Sequence, residues 1–83
     1  MKNFSDVEEI YAEALQNLKQ DLNNGKISIN KALEQANKCI EEINFLLPAM
    51  DIVYPSNVVR KVENLAIEFE NFISEIQTNQ NTL

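Results

Sequence analysis

The sequence predicts an all-α protein, an antiparallel three-helix bundle, and three observations carry that expectation. Turn punctuation is sparse: one glycine and two prolines in 83 residues, too little for a sandwich or barrel of short strands. Three stretches place apolar side chains at helical rather than alternating spacing. The breaks between them are short and carry their own stop signals, so consecutive helices should fold back on each other. On this reading the helices cover about 6–23, 29–47 and 56–77, a single helical domain spans 1–77, and the polar residues 78–83 form a flexible C-terminal tail.

The first helix is announced by Ser5 with Glu8 three positions on, a capping box in which each side chain satisfies a backbone N–H at the exposed start. Asp6, Glu8 and Glu9 then lie beside the positive end of the helix dipole. Val7, Ile10, Tyr11, Ala14, Leu15, Leu18 and Leu22 form its apolar stripe. Asn23, Asn24 and Gly25 end it, since glycine enters the left-handed conformation of a C-terminal cap without a Cβ penalty.

Ser28 is placed to cap the second helix, whose inward face reads Ile29, Ala32, Leu33, Ala36, Cys39, Ile40, Ile43, Leu46 and Leu47. Pro48 should end it by restricting Leu47 to extended geometry. The third helix starts near Pro55 to Asn57. Its apolar residues Val58, Val62, Leu65, Phe69, Phe72 and Ile76 repeat in a heptad rhythm, widened by Val59, Ala66 and Ile73. A stripe that broad can contact two neighbours at once.

Composition sets further bounds. A hydrophobic fraction of 45% with 24% charged residues is a globular balance. Thirteen acidic against seven basic side chains give a net charge of −6, which repels nucleic acid phosphates, so no direct nucleic acid binding is expected. The start MKNFSDVEEI has no apolar core of a secretory signal, and the single Cys39 has no internal disulfide partner. These point to a cytoplasmic setting. Pro48 and Pro55 interrupt the weakly charged stretch 43–59, so no membrane span is expected.

Nothing here reads as catalytic or cofactor-binding machinery. The chain has no histidine, the commonest general base near neutral pH and the commonest transition-metal ligand. Cys39 lies on an apolar stripe and reads as a packed thiol. Glu41 and Glu42 are adjacent and diverge by about 100° on a helix, so they make no acid pair. No catalytic residue, metal site or cofactor is expected.

Two features do stand out. The connector expected at 48–54, PAMDIVY, is unusually apolar, carrying Met50, Ile52, Val53 and Tyr54. These side chains either seal the open end of the bundle or form a patch that docks a partner, helped by Phe45, which falls off the core stripe on the Lys38, Glu41 and Glu42 side of the second helix. The charges of the third helix run against its dipole, with Arg60 and Lys61 near its start and Glu68, Glu70 and Glu75 toward its end. They form either a solvated face or an acidic site for a basic partner.

The run LNNGKISINKAL, residues 22–33, resembles locally the helix–turn–helix of the exonuclease VII small subunit, where a leucine, a glycine and a serine also punctuate the turn. That resemblance implies a helical hairpin at this point; the spacing upstream departs from the family's, and the third helix has no counterpart in it. Function is therefore expected to lie in contact with another protein, as an inhibitor, immunity protein or accessory subunit. Phe45, Met50, Ile52 and Tyr54 are the candidate apolar contacts, with Glu68, Glu70 and Glu75 the charged ones. The alternatives are a structural homodimer and an acidic nucleic-acid mimic.

Overall fold

The computed structural model describes residues 5–81, with side chains described from 7 to 78. It is a bundle of three helices: α1 (Ser5–Asn23), α2 (Ile29–Val53) and α3 (Ser56–Asn81). The Cα trace measures 45 × 23 × 16 Å, long because α2 and α3 each exceed six turns. Those two helices form the more extensive pair, and α1 rests against both.

The turn between α1 and α2 follows the sequence closely. Gly25 takes φ 75°, and the backbone N–H groups of Gly25 and Lys26 donate to the carbonyls of Leu22 and Asp21 at 3.2 and 2.8 Å. These paired bonds satisfy carbonyls that the end of α1 leaves open. Ser28 then caps α2: its extended backbone (φ −79°, ψ 164°) lets Oγ accept from the Lys31 N–H at 3.1 Å. The proposed capping box at Ser5 falls on a side chain outside the described residues, as does Asp6; α1 itself begins at Ser5.

The expectation that Pro48 ends the second helix is overturned. α2 runs through Pro48 to Val53, and the apolar segment expected as a connector is its last turn and a half. Proline inside a helix removes one ladder bond, here the one that would reach the Asn44 carbonyl, and crowds that carbonyl, at a cost of about 3 kcal/mol. Continuing the helix carries Met50 into the core at 4% exposure, in phase with Ile43 and Ala36 seven and fourteen residues earlier. Burying a methionine side chain offsets about 1.5–3 kcal/mol, and the helical ladder satisfies the remaining backbone groups of the segment. The stop is Pro55 instead. It forces Tyr54 into extended geometry (φ −116°, ψ 156°), and its carbonyl accepts from the N–H groups of Val58 and Val59, opening α3. Two residues, rather than eight, separate α2 from α3.

The core takes Leu15 and Leu18 from α1, Ala32, Ala36, Ile43 and Met50 from α2, and the broad stripe of α3 from Val59 to Ile76. Phe69 and Val62 are fully buried, as the heptad rhythm predicts. Two residues expected on core stripes are not sealed. Ile10 is 55% exposed because it sits at the edge of the α1 stripe, about 100° from Tyr11. Ile29 is in phase with the α2 core but occupies the first turn, where it lines a shallow groove at the end of the bundle with Leu22, Ile27 and Ile76. α3 continues to Asn81, four residues into the expected tail, whose last two residues lie outside the described residues. Among the described residues no helix is long and apolar enough to cross a membrane.

Candidate interaction surface

Because α2 continues past Pro48, its outer side carries an unbroken apolar row. Phe45 (83% exposed) and Ile52 (86% exposed) are seven residues apart and so share a face. Pro48 and Ala49, both exposed, lie between them, and Val53 (67% exposed) flanks the end. The opposite side of the same turns presents Ile43 and Met50 to the core. Asn44 and Asp51, seven residues apart and both exposed, leave one polar strip on these turns, and the rest of their circumference is apolar. Asp51 is the one charge from Ile43 to Val53.

The expected contact residues are sorted by this geometry. Phe45 and Ile52 are brought together on the outer row. Met50 belongs to the core and is not a surface contact, because the helical phase that exposes Ile52 turns Met50 inward. Tyr54 is half-buried, packed against the core beside the α2–α3 link. Pro48 and Ala49 are row members that sequence reasoning missed. Continuing the helical rhythm of Phe45 across Pro48 is the signal that finds them.

Glu68, Glu70 and Glu75 are all exposed. Glu68 and Glu75 share a face roughly 10 Å apart along the axis, while Glu70 is turned well away from both. Glu75 lines a groove between α1 and α3 with Lys19, Leu22, Asn23, Phe72 and Ile76. The three carboxylates therefore do not converge on one site.

Phe45 also forms a wall of the groove between α1 and α2, with Tyr11, Lys38, Glu41, Glu42 and Leu46. Across it the Tyr11 hydroxyl donates to Glu42 Oε1 at 2.9 Å. Burial first, then that bond and the charge of Glu42, raise the Tyr11 pKa to about 12. At neutral pH the phenol is thus a hydrogen-bond donor and not a base. Cys39, half-buried nearby, has its thiol pKa pushed up by burial and by Glu42, against the opposing pull of Lys38. A thiol so placed is a poorer nucleophile near neutral pH than a free one. Among the described residues no polar or charged side chain is buried, and no three potential ligands among His, Cys, Asp and Glu are grouped for a metal. What this surface offers chemically is desolvation of an apolar row, bordered by a few charges.

Fold and surface together define a helical bundle with one apolar outer face. The chain matches no family model, no curated protein and no solved structure.

Proposed function

We propose that this chain is a cytoplasmic protein-interaction module, of the inhibitor, immunity or accessory-subunit kind, that acts by contact through the outer face of α2 and carries out no catalysis. The observation that carries this reading is the row Phe45–Ile52, two large apolar side chains more than four-fifths exposed, two turns apart on a stretch of α2 that also holds the core. Single exposed apolar residues are ordinary, but a contiguous row on one helix face is the form a docking surface takes. An aromatic anchor at its head fits the usual composition of interface hot spots. Glu68 and Glu75, which share a face of α3, are a secondary charged site apart from that row. The divergence of Glu70 from those two argues against mimicry of a duplex phosphate array, which needs charge in register along one strip.

A photo-crosslinking phenylalanine analogue in place of Phe45 tests the reading in the native cytoplasm. Irradiation is expected to join the chain covalently to one discrete polypeptide, and the same analogue in place of exposed Gln35 should give none. Absence of any adduct at position 45 overturns the reading.

A further inference from the structure

The outer row of α2 is shaped to be covered by itself. Its large side chains, Phe45 and Ile52, lie at the two ends, and its small ones, Pro48 and Ala49, lie in the middle. A second α2 crossing antiparallel about a two-fold axis at Pro48–Ala49 places Phe45 of each copy against Ile52 of the other. Meanwhile the small central residues let the helices approach closely. The interface is isologous: each large side chain fills the space left beside its counterpart.

Charge supports the same register. In that arrangement Glu41 and Glu42 of one copy face Pro55 and Ser56 of the other, where α2 hands over to α3. The first turn of α3 holds no acidic residue, and Arg60 and Lys61 follow in its second turn. The unbonded N–H groups of Ser56 and Asn57 at that helix start can donate to an acidic neighbour, and Arg60 and Lys61 offset the nearby Asp51 and Glu63. The antiparallel register thus keeps Glu41 and Glu42 of the two copies apart and sets each pair beside a helix start that has no acidic residue. A parallel pairing would stack Glu41 on Glu41. The net charge of −6 acts between copies over distances that physiological salt screens.

Area fits a second copy as well. Phe45, Ile52 and Val53 expose on the order of 400 Å² per copy, taking about 150–250 Å² for a large side chain. Two copies then bury about 800 Å² from the row itself, below the roughly 1,200 Å² of a stable interface and in the range of a weak dimer that dissociates on dilution.

We infer that the occupant of the α2 outer face is a second copy of this chain, bound antiparallel with Phe45 against Ile52 across a two-fold axis. This rests on the reading of that face as a docking surface. Sedimentation equilibrium of the purified chain should give twice the chain mass at high-micromolar concentration and dissociation on dilution. Phe45→Ser with Ile52→Ser should sediment as a monomer with an unchanged helical circular dichroism spectrum, since neither side chain enters the core. Asn57→Asp adds an acid at the start of α3, favourable to that helix but opposed to Glu41 of the other copy. It should raise the dimer dissociation constant several-fold, and adding Glu41→Lys should restore it.

A wild-type chain that stays monomeric throughout overturns the inference, and so does a dimer that survives the double serine variant. In the first case an adduct from position 45 to a different polypeptide leaves the docking face standing while the second copy falls. A monomer without any adduct removes both.

Discussion

The Tyr11 hydroxyl of α1 donates to Glu42 Oε1 of α2 at 2.9 Å, tying the two helices together beside the groove that Phe45 walls. The bond joins residues 31 apart in sequence, which fixes the relative height of the antiparallel pair. It also couples α1, the least engaged helix, to the helix that carries the outer row.

That pairing has a titration signature. The Tyr11 pKa is raised from 10.0 to about 12, by burial first and then by Glu42. A phenol whose folded pKa lies above its unfolded value contributes stability fully present below the unfolded value and lost as pH rises through the folded one. The wild type should therefore lose stability between about pH 10 and 12 more steeply than Tyr11→Phe, read by denaturant melts across that window. Difference ultraviolet titration against Tyr11→Phe isolates the phenol from Tyr54. Glu42→Gln should lower its pKa without returning it to 10, because burial, the larger cause, remains. A full return to the ordinary value would assign the shift to the carboxylate alone.

Phe69 and Phe45 should respond oppositely to truncation. Phe69 is fully buried and Phe45 is 83% exposed. Phe69→Ala is expected to cost about 3–5 kcal/mol. A domain of this size commands roughly 4–12 kcal/mol in all, so that variant should lose a quarter or more of its stability and unfold at a markedly lower urea concentration. Phe45→Ala should change the folding stability of dilute protein by no more than about 0.5 kcal/mol. Urea melts at low protein concentration decide the point, and a large loss for Phe45→Ala would mean that its ring carries the bundle's own core.

Pro48 stands where a helix former belongs. With its ring on the exposed side of α2, it makes no core contact that alanine would forfeit, while it denies the Asn44 carbonyl its ladder bond. Pro48→Ala should stabilise the chain by about 1–3 kcal/mol. That corresponds to a rise in Tm of several degrees or more, at about 4–8 °C per kcal/mol for a domain this small. An unchanged or lowered Tm would show that the proline has a compensating role in the fold.

The sequence made the helix count, the Gly25 turn, the Ser28 cap and the α3 stripe legible because each rests on local chemistry: a left-handed glycine, a hydroxyl accepting a backbone N–H, a heptad of large apolar residues. It misplaced the end of α2 because local chemistry is outvoted there. Pro48 alone reads as a stop, but Met50 lies in helical phase with Ala36 and Ile43, and its burial against α3 is a tertiary gain that no single residue announces. The candidate surface inherited that error. Phe45 and Ile52 are legible as individuals; Met50, which the sequence leaves open between seal and contact, is a seal, and Pro48 and Ala49 become the row's centre only when the helix is carried past Pro48. Glu68, Glu70 and Glu75 grouped in sequence but not in space, because two residues on a helix turn about 200°.

Cys39 provides a reporter for the same region. It lies one turn before Ile43 on the side of α2 that meets α1, half-buried, and its pKa is raised by burial first and by Glu42 second. Alkylation proceeds through the thiolate, so at neutral pH Cys39 should react with iodoacetamide markedly more slowly in the folded chain than in denaturant. Glu42→Gln should quicken the reaction only in part, since burial persists. Lys38→Ala should slow it further, because the ammonium is the one group that pulls the thiol pKa down. Equal rates in folded and denatured protein would place the thiol in open solvent and undo the packing of α1 on α2 described above.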